Sequence, residues 1–173
     1  MTFNNTAART TLIAAFLGCI LAANYVTSEY GMVPVGFGLM ATAGTYFAGL
    51  TFVLRDSLQD TIGKGWTVAA IGAGALLSLL VSDPFIALAS AVAFGLSELA
   101  DLAVYTPLRK RGYIRAAVTS NIVGSVVDTV AFLAIAGFPI MAALPGQMVG
   151  KLLVTAAAVA LVVILRSRRT VTA

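Results

Sequence analysis

Six apolar runs, each close to the length needed to cross a bilayer, occupy most of the 173-residue chain. A helix needs ~20 predominantly apolar residues to span the ~30 Å hydrocarbon core, and polar or Gly/Pro stretches separate the runs. The sequence therefore predicts an all-α, polytopic membrane protein with six transmembrane helices in one domain, residues 1–173. The predicted spans are 11–26, 37–54, 66–82, 85–106, 114–138 and 147–165.

The composition excludes most common catalytic machinery. Of the residues, 60% are hydrophobic and 10% charged, against roughly 25% charged in soluble domains. The chain has no histidine and a single cysteine, Cys19, so one chain cannot assemble a zinc site, a Ser-His-Asp triad or a Cys-His pair. We therefore predict a protein that is not an enzyme, without catalytic residues, metal or cofactor, and without a nucleic-acid partner.

The basic residues predict the orientation of the helices. If the N-terminus is cytoplasmic, ten of the eleven Lys and Arg fall at cytoplasmic ends, while the outer loops hold Glu29 and Asp83. This is the positive-inside pattern of membrane proteins, and it predicts that both termini face the cytoplasm. The ten residues are Arg9, Arg55, Lys64, Arg109, Lys110, Arg111, Arg115, Arg166, Arg168 and Arg169.

Polar side chains within the last three spans mark a candidate substrate site. An ionisable group at the centre of a bilayer costs ~2.5–3.5 kcal/mol on insertion scales, so it needs a partner or water. Counted along their helices, Glu98 and Asn121 lie at similar depths, and Asn121 shares one helix face with Asp128. The predicted substrate-binding residues are Glu98, Asn121, Asp128, Gln147, Lys151 and, near the outer end of the first span, Asn24.

A structural role is the alternative for each of these residues. Asp128 could pair with Lys151, and Asp101 lies close enough to the basic loop to pair with Arg109 or Arg115. Asn24 could bond an interhelical carbonyl instead of a ligand. The residues assigned to a structural ion pair or gate are Asp101, Arg115, Arg55 and Asp56.

The segment "GQMVGK", Gly146 to Lys151, only partly matches a phosphate-binding loop. Three residues separate its glycines instead of four, and Leu152 stands where Ser or Thr is required. The sequence contains no nucleotide-hydrolysis motif, so any use of ATP would depend on a partner protein.

Three stretches resemble the VUT or queuosine-precursor transporter family, also described as vitamin uptake transporters: residues 41–60, 97–138 and, more weakly, 150–155. The middle stretch is the most specific, since it combines "SELADLAVY", the basic loop "RKRGYIR" and "NIVGSVVDT" in order. The resemblance implies import of 7-deazaguanine precursors of queuosine, such as 7-cyano-7-deazaguanine. It also implies a relation to the substrate-binding components of energy-coupling-factor transporters.

The polar residues suit a guanine-like ligand. Glu98 or Asp128 could accept its paired N–H donors, and Asn121, Gln147 or Lys151 could donate to its carbonyl. Phe94, Tyr105 and Phe132 could stack on the ring. Two alternatives stay open: a vitamin-binding component served by a partner ATPase module, and a non-transporting membrane scaffold whose polar residues only pair helices. Coupling to protons through Asp128 and coupling to an ATPase are equally open.

Overall fold

The computed structural model describes residues 6–111 and 113–171, and some side chains within these ranges, including those of Asp56 and Arg109, are outside the description. The described chain forms six α-helices, one β-hairpin and a short 3-10 turn at Arg109–Arg111. The elements are α1 (Thr6–Tyr30), β1 (Met32–Gly36), β2 (Leu39–Thr42), α2 (Thr45–Ile62), α3 (Lys64–Ser78), α4 (Pro84–Leu108), α5 (Tyr113–Ile135) and α6 (Ile140–Val171).

The helices confirm the predicted class, an all-α membrane protein. Three helical segments of the described chain are long and apolar enough to cross a bilayer: Thr6–Tyr30, Pro84–Leu108 and Ile140–Ala158. A shorter apolar segment, Thr119–Ile135, lies within α5. The number of membrane crossings and the cytoplasmic position of both termini remain predictions.

The β-hairpin replaces the start of the second predicted span. The sequence predicts a helix from residue 37, but Val33 pairs with Ala41 in an antiparallel ladder and α2 begins only at Thr45. The turn uses Gly36, Phe37 and Gly38, all with positive φ, a conformation that glycine adopts without steric cost. These two glycines and Pro34 disfavour a helix there, although the segment is apolar.

The shift of α2 along the chain changes the position of its charged residues. The second span was predicted to end at residue 54, with Arg55 and Asp56 at its inner end, whereas α2 continues to Ile62. Arg55 is consequently buried inside the bundle, with 6% of its surface exposed. Its expected position at the end of a helix is therefore wrong.

Glycines let the hairpin and helices approach closely. A Cβ at Gly44, before α2, would overlap the carbonyl oxygen of Ala23 on α1, and one at Gly146 on α6 would overlap that of Met40 on β2. Between α1, α2 and α3, an apolar cluster forms around Phe16 and Leu58. These contacts fix the hairpin and the first residues of α2 beside α6.

We expect Gly146→Ala to destabilise the protein, because the added methyl group must displace the Met40 backbone. Overpacking of this kind typically costs ~1–3 kcal/mol, and the loss can be measured as a lower Tm in detergent. Gly95→Ala is the control, since a Cβ there meets no atom within 4 Å and alanine favours the helix. Equal Tm values for both variants would contradict the close approach.

The orientation can be tested at the hairpin. In a Cys19→Ala background, we expect Phe37→Cys to react with an impermeant thiol reagent added outside intact cells, because the Phe37 side chain is 91% exposed at the tip. A cysteine added at the C-terminus should react only in inverted vesicles. A C-terminal cysteine labelled in intact cells would refute the positive-inside orientation.

Candidate functional site

A cavity of about 70 Å³ lies inside the half of the bundle nearest the hairpin. Residues from all six helices and from β2 line this cavity. They come from the C-terminal parts of α1, α3 and α5 and from the N-terminal parts of α2, α4 and α6. A bound water needs ~10–15 Å³ of such space, so the cavity has room for several waters or a small ring compound. Its polar lining residues include Asn24, Thr42, Thr45, Thr51, Ser90, Asp128, Gln147 and Lys151.

A buried ion pair joins α5 to α6 at the cavity wall. Lys151 Nζ donates to Asp128 Oδ2 at 2.7 Å and to Thr129 Oγ1 at 2.8 Å. Asp128 is 9% exposed and Lys151 3% exposed. The pairing of Asp128 with Lys151 that the sequence offered as one alternative is therefore present. The two opposite charges of the pair cancel, so this part of the cavity wall has no net charge. Among the described residues, no hydrogen-bond donor contacts the second carboxylate oxygen, Asp128 Oδ1.

Hydrogen bonds tie the hairpin to the cavity. Gln147 Nε2 donates to Thr42 Oγ1 at 2.9 Å, and the Thr45 hydroxyl donates to the Thr42 carbonyl at 2.6 Å. Gly150 allows this approach, because a Cβ there would lie 2.8 Å from the Thr45 methyl group. Thr42 and Thr45 were missed by the sequence analysis, since residues 37–54 were interpreted as one continuous span. The only signal for them was the glycine-rich turn.

Asn24 also lines the cavity, but it serves a second role. Its Nδ2 donates to Ser78 Oγ at 3.0 Å and joins α1 to α3. The structural role predicted for Asn24 was a bond to a carbonyl, whereas the acceptor is a hydroxyl. Asn24 Oδ1 has no partner among the described residues, so the side chain can support the bundle and still offer an acceptor to a ligand.

Aromatic rings form the other wall of the cavity. Phe52 on α2 stacks on Phe94 on α4, with ring centroids 6.1 Å apart and an angle of 17° between the planes. The Arg55 guanidinium lies 5.9 Å from the centroid of Phe52, and Lys151 Nζ lies 5.7 Å from it. Phe94 and Phe132, both predicted as stacking residues, line the cavity, whereas Phe52 was missed. The predicted Tyr105 is not among the lining residues.

Glu98 and Asn121 face a different, much smaller pocket. This inner pocket has a volume of about 10 Å³, enough for about one water. Glu98 forms an ion pair there with Arg55, a partner that the sequence analysis did not assign to it. Asp101 and Asn121 line the same pocket. Glu98 and Asn121 share this pocket as expected, and neither lines the cavity of Asp128, but Asn121 also lines a third pocket together with Lys151.

The remaining candidates for an ion pair are less defined. Asp101 is half-buried, and among the described residues it forms no ion pair with the exposed Arg115. The alternative partner Arg109 and the candidate Asp56 have side chains outside the described part. In the part that is described, no group of three or more His, Cys, Asp or Glu could hold a metal ion.

We expect Lys151→Met to destabilise the protein by ~3–5 kcal/mol, because it leaves the Asp128 carboxylate buried without its cation. The double variant Asp128→Asn with Lys151→Met should lose less than the two single variants combined, and a double-mutant cycle of unfolding in detergent measures the difference. Lys64→Met, at an exposed position on α3, is the matched control. Strict additivity would show that the pair contributes no coupling energy.

Part of the chain matches a known protein family. Residues 82–165 match the family model described as "Putative vitamin uptake transporter". No curated protein matches the chain, and no solved structure does. The matched segment spans α4, α5 and most of α6, so it contains Glu98, Asp128 and Lys151, while Asn24, Thr42, Phe52 and Arg55 lie outside it.

Proposed function

We propose that this chain, whose residues 82–165 match the model of a vitamin uptake transporter family, imports a small heteroaromatic base across the bacterial inner membrane. The proposed ligand is a 7-deazaguanine queuosine precursor such as 7-cyano-7-deazaguanine. The observation that carries this proposal is the Asp128–Lys151 pair inside a cavity with aromatic walls. Charged groups inside a transmembrane bundle are expensive to bury and commonly mark a substrate path.

The cavity offers the groups that a guanine-like edge requires. Asp128 Oδ1 can accept hydrogen bonds from the ring N–H and the exocyclic amine, while Oδ2 keeps its bond to Lys151. Lys151 and Gln147 carry donors for the ligand carbonyl and ring nitrogen. Phe94 and Phe132 supply flat apolar surfaces for the ring. The paired charges favour a ligand without net charge, because a charged ligand would need a further counter-ion.

The position of the cavity also supports transport. Substrate sites of secondary transporters lie between helices near the middle of the membrane, where one side can open at a time. The cavity is lined by the hairpin-side halves of all six helices and is bounded by Phe52 and Phe94 on the opposite side. In the predicted orientation, the hairpin side faces outward, so the cavity receives the ligand from outside the cell.

The second candidate function is that of a vitamin-binding component of an energy-coupling-factor transporter. The family description favours it, since it names vitamin uptake. In this case a partner ATPase module supplies the energy, and the membrane protein should co-purify with an ATPase pair from its native membrane. Import without such a partner in a reconstituted system would favour the self-contained carrier.

We expect Asp128→Asn and Gln147→Leu each to lower uptake of radiolabelled 7-cyano-7-deazaguanine by about tenfold or more, the equivalent of ~1.4 kcal/mol. The assay uses cells that cannot make the precursor, with equal amounts of each variant in the membrane. Leu153→Ala is the control, because Leu153 lies on α6, is 54% exposed and does not line the cavity. Unchanged uptake in both cavity variants would contradict the proposed site.

Ligand-dependent stabilisation separates the substrate classes. A ligand at a hundred times its Kd should stabilise the purified protein by ~2.7 kcal/mol. A thermal-shift series of deazaguanines and vitamins therefore identifies which class binds. A membrane scaffold without a ligand site would show no shift with any of them.

A further inference from the structure

Helices α2 and α4 both line the cavity and the inner pocket. These two helices are not among the closely packed helix pairs of the described chain: α4 packs most extensively on α5, and α2 packs on α1, α3 and α6. Side chains bridge the gap instead, with Phe52 and Arg55 reaching from α2 to Phe94 and Glu98 on α4. The separation between the cavity and the inner pocket therefore depends on a few side chains and not on close packing of the α2 and α4 backbones.

Phe52 is the partition between the two spaces. It lines the cavity, the inner pocket and a third pocket of about 100 Å³ between α2, α5 and α6. Two cationic groups lie near the Phe52 ring, Lys151 Nζ and the Arg55 guanidinium. Lys151 lines the cavity, and Arg55 lines the inner pocket. Phe52 is therefore the side chain that these three spaces have in common.

The Arg55–Glu98 ion pair closes the gap next to the aromatic stack. The Arg55 guanidinium also lies 6.0 Å from the centroid of Phe94, so the ion pair and the stack support each other. Separating a buried ion pair is costly when either charge is left without a partner. Asp101 lies one turn beyond Glu98 on α4 and lines the same pocket. Asp101 is therefore a second carboxylate in the pocket that Arg55 lines.

We propose that Phe52, Phe94, Arg55 and Glu98 form the inner gate of the transport path, and that Asp101 receives Arg55 when the gate opens. This inference rests on the proposed transport function and assigns Glu98 and Asp101 to gating instead of ligand binding. In the closed state, the stack and the ion pair seal the cavity from the cytoplasm. In the open state, Phe52 leaves Phe94, Arg55 pairs with Asp101, and the ligand passes between α2 and α4.

Side-specific labelling of a cavity cysteine tests the gate without any substrate. Ser90→Cys, in a Cys19→Ala background, places a single thiol in the cavity. Inverted vesicles are then treated with a small charged methanethiosulfonate reagent from the cytoplasmic side. We expect Phe52→Ala to raise the labelling rate by about tenfold or more, and Glu98→Gln, which keeps the side-chain shape, to raise it in the same direction.

Phe138→Ala is the matched control. Phe138 stacks on Phe132 with centroids 6.2 Å apart, a geometry close to that of the Phe52–Phe94 pair, but it lines none of the three pockets. The gate is supported if labelling from the cytoplasmic side rises in Phe52→Ala and Glu98→Gln and stays unchanged in Phe138→Ala. It is overturned if Phe138→Ala has the same effect as Phe52→Ala, or if neither gate variant changes the rate.

Asp101→Asn tests the second position of Arg55. This variant should lower the basal rate of cytoplasmic labelling of Ser90→Cys by about threefold or more, because the open state loses its counter-ion. Ligand-induced thermal stabilisation should persist, since Asp101 does not line the cavity. An unchanged or higher rate would exclude Asp101 as the receiving carboxylate. If the labelling rates change as expected but the unmodified protein takes up no 7-cyano-7-deazaguanine, the gate stands and the proposed substrate is wrong.

Discussion

The ion pair between Asp128 and Lys151 constrains the rest of the bundle. Neither charge is tolerable alone at 9% and 3% exposure, so α5 and α6 must meet at this point. The glycines of α6 then allow the hairpin and α2 to approach α6. Gly49 on α2 does the same, because a Cβ at this position would lie only 3.0 Å from the Lys151 Cα. The result is a cavity whose wall carries two opposite charges that sum to zero. The surrounding hydrocarbon would not accept either charge alone.

The helical class could be predicted because it depends on local hydropathy, which the bilayer selects strongly. The limits were less certain, since α6 runs from Ile140 to Val171 and not from residue 147 to 165. The start of α2 could not be predicted this way. Residues 37–42 are apolar enough for a span, but Gly36 and Gly38 adopt positive φ and the chain turns back as a hairpin. Hydropathy indicates only that a segment is apolar. The hairpin turn depends instead on the positive φ angles that glycine allows and on packing of the hairpin against α6.

Several residues named from the sequence line the cavity or the inner pocket, but their arrangement differs from the predicted one. Depth along a helix correctly placed Glu98 level with Asn121, yet depth says nothing about which neighbouring helix a side chain meets. The shift of α2 brings Arg55 to Glu98, and Phe52 lies at the boundary between the cavity of Asp128 and the inner pocket of Glu98. A prediction from the last three spans alone could not include this division, since the dividing residue comes from the second helix.

The hydrogen bond from Gln147 to Thr42 connects the interior of the protein to its surface. Thr42 ends β2, and the same short hairpin carries Phe37, which is almost fully exposed at its tip. A molecule that competes for the Gln147 amide weakens one of the ties that hold this strand on α6. A fluorescent reporter attached at the exposed tip would therefore test whether a molecule occupies the cavity beside Gln147.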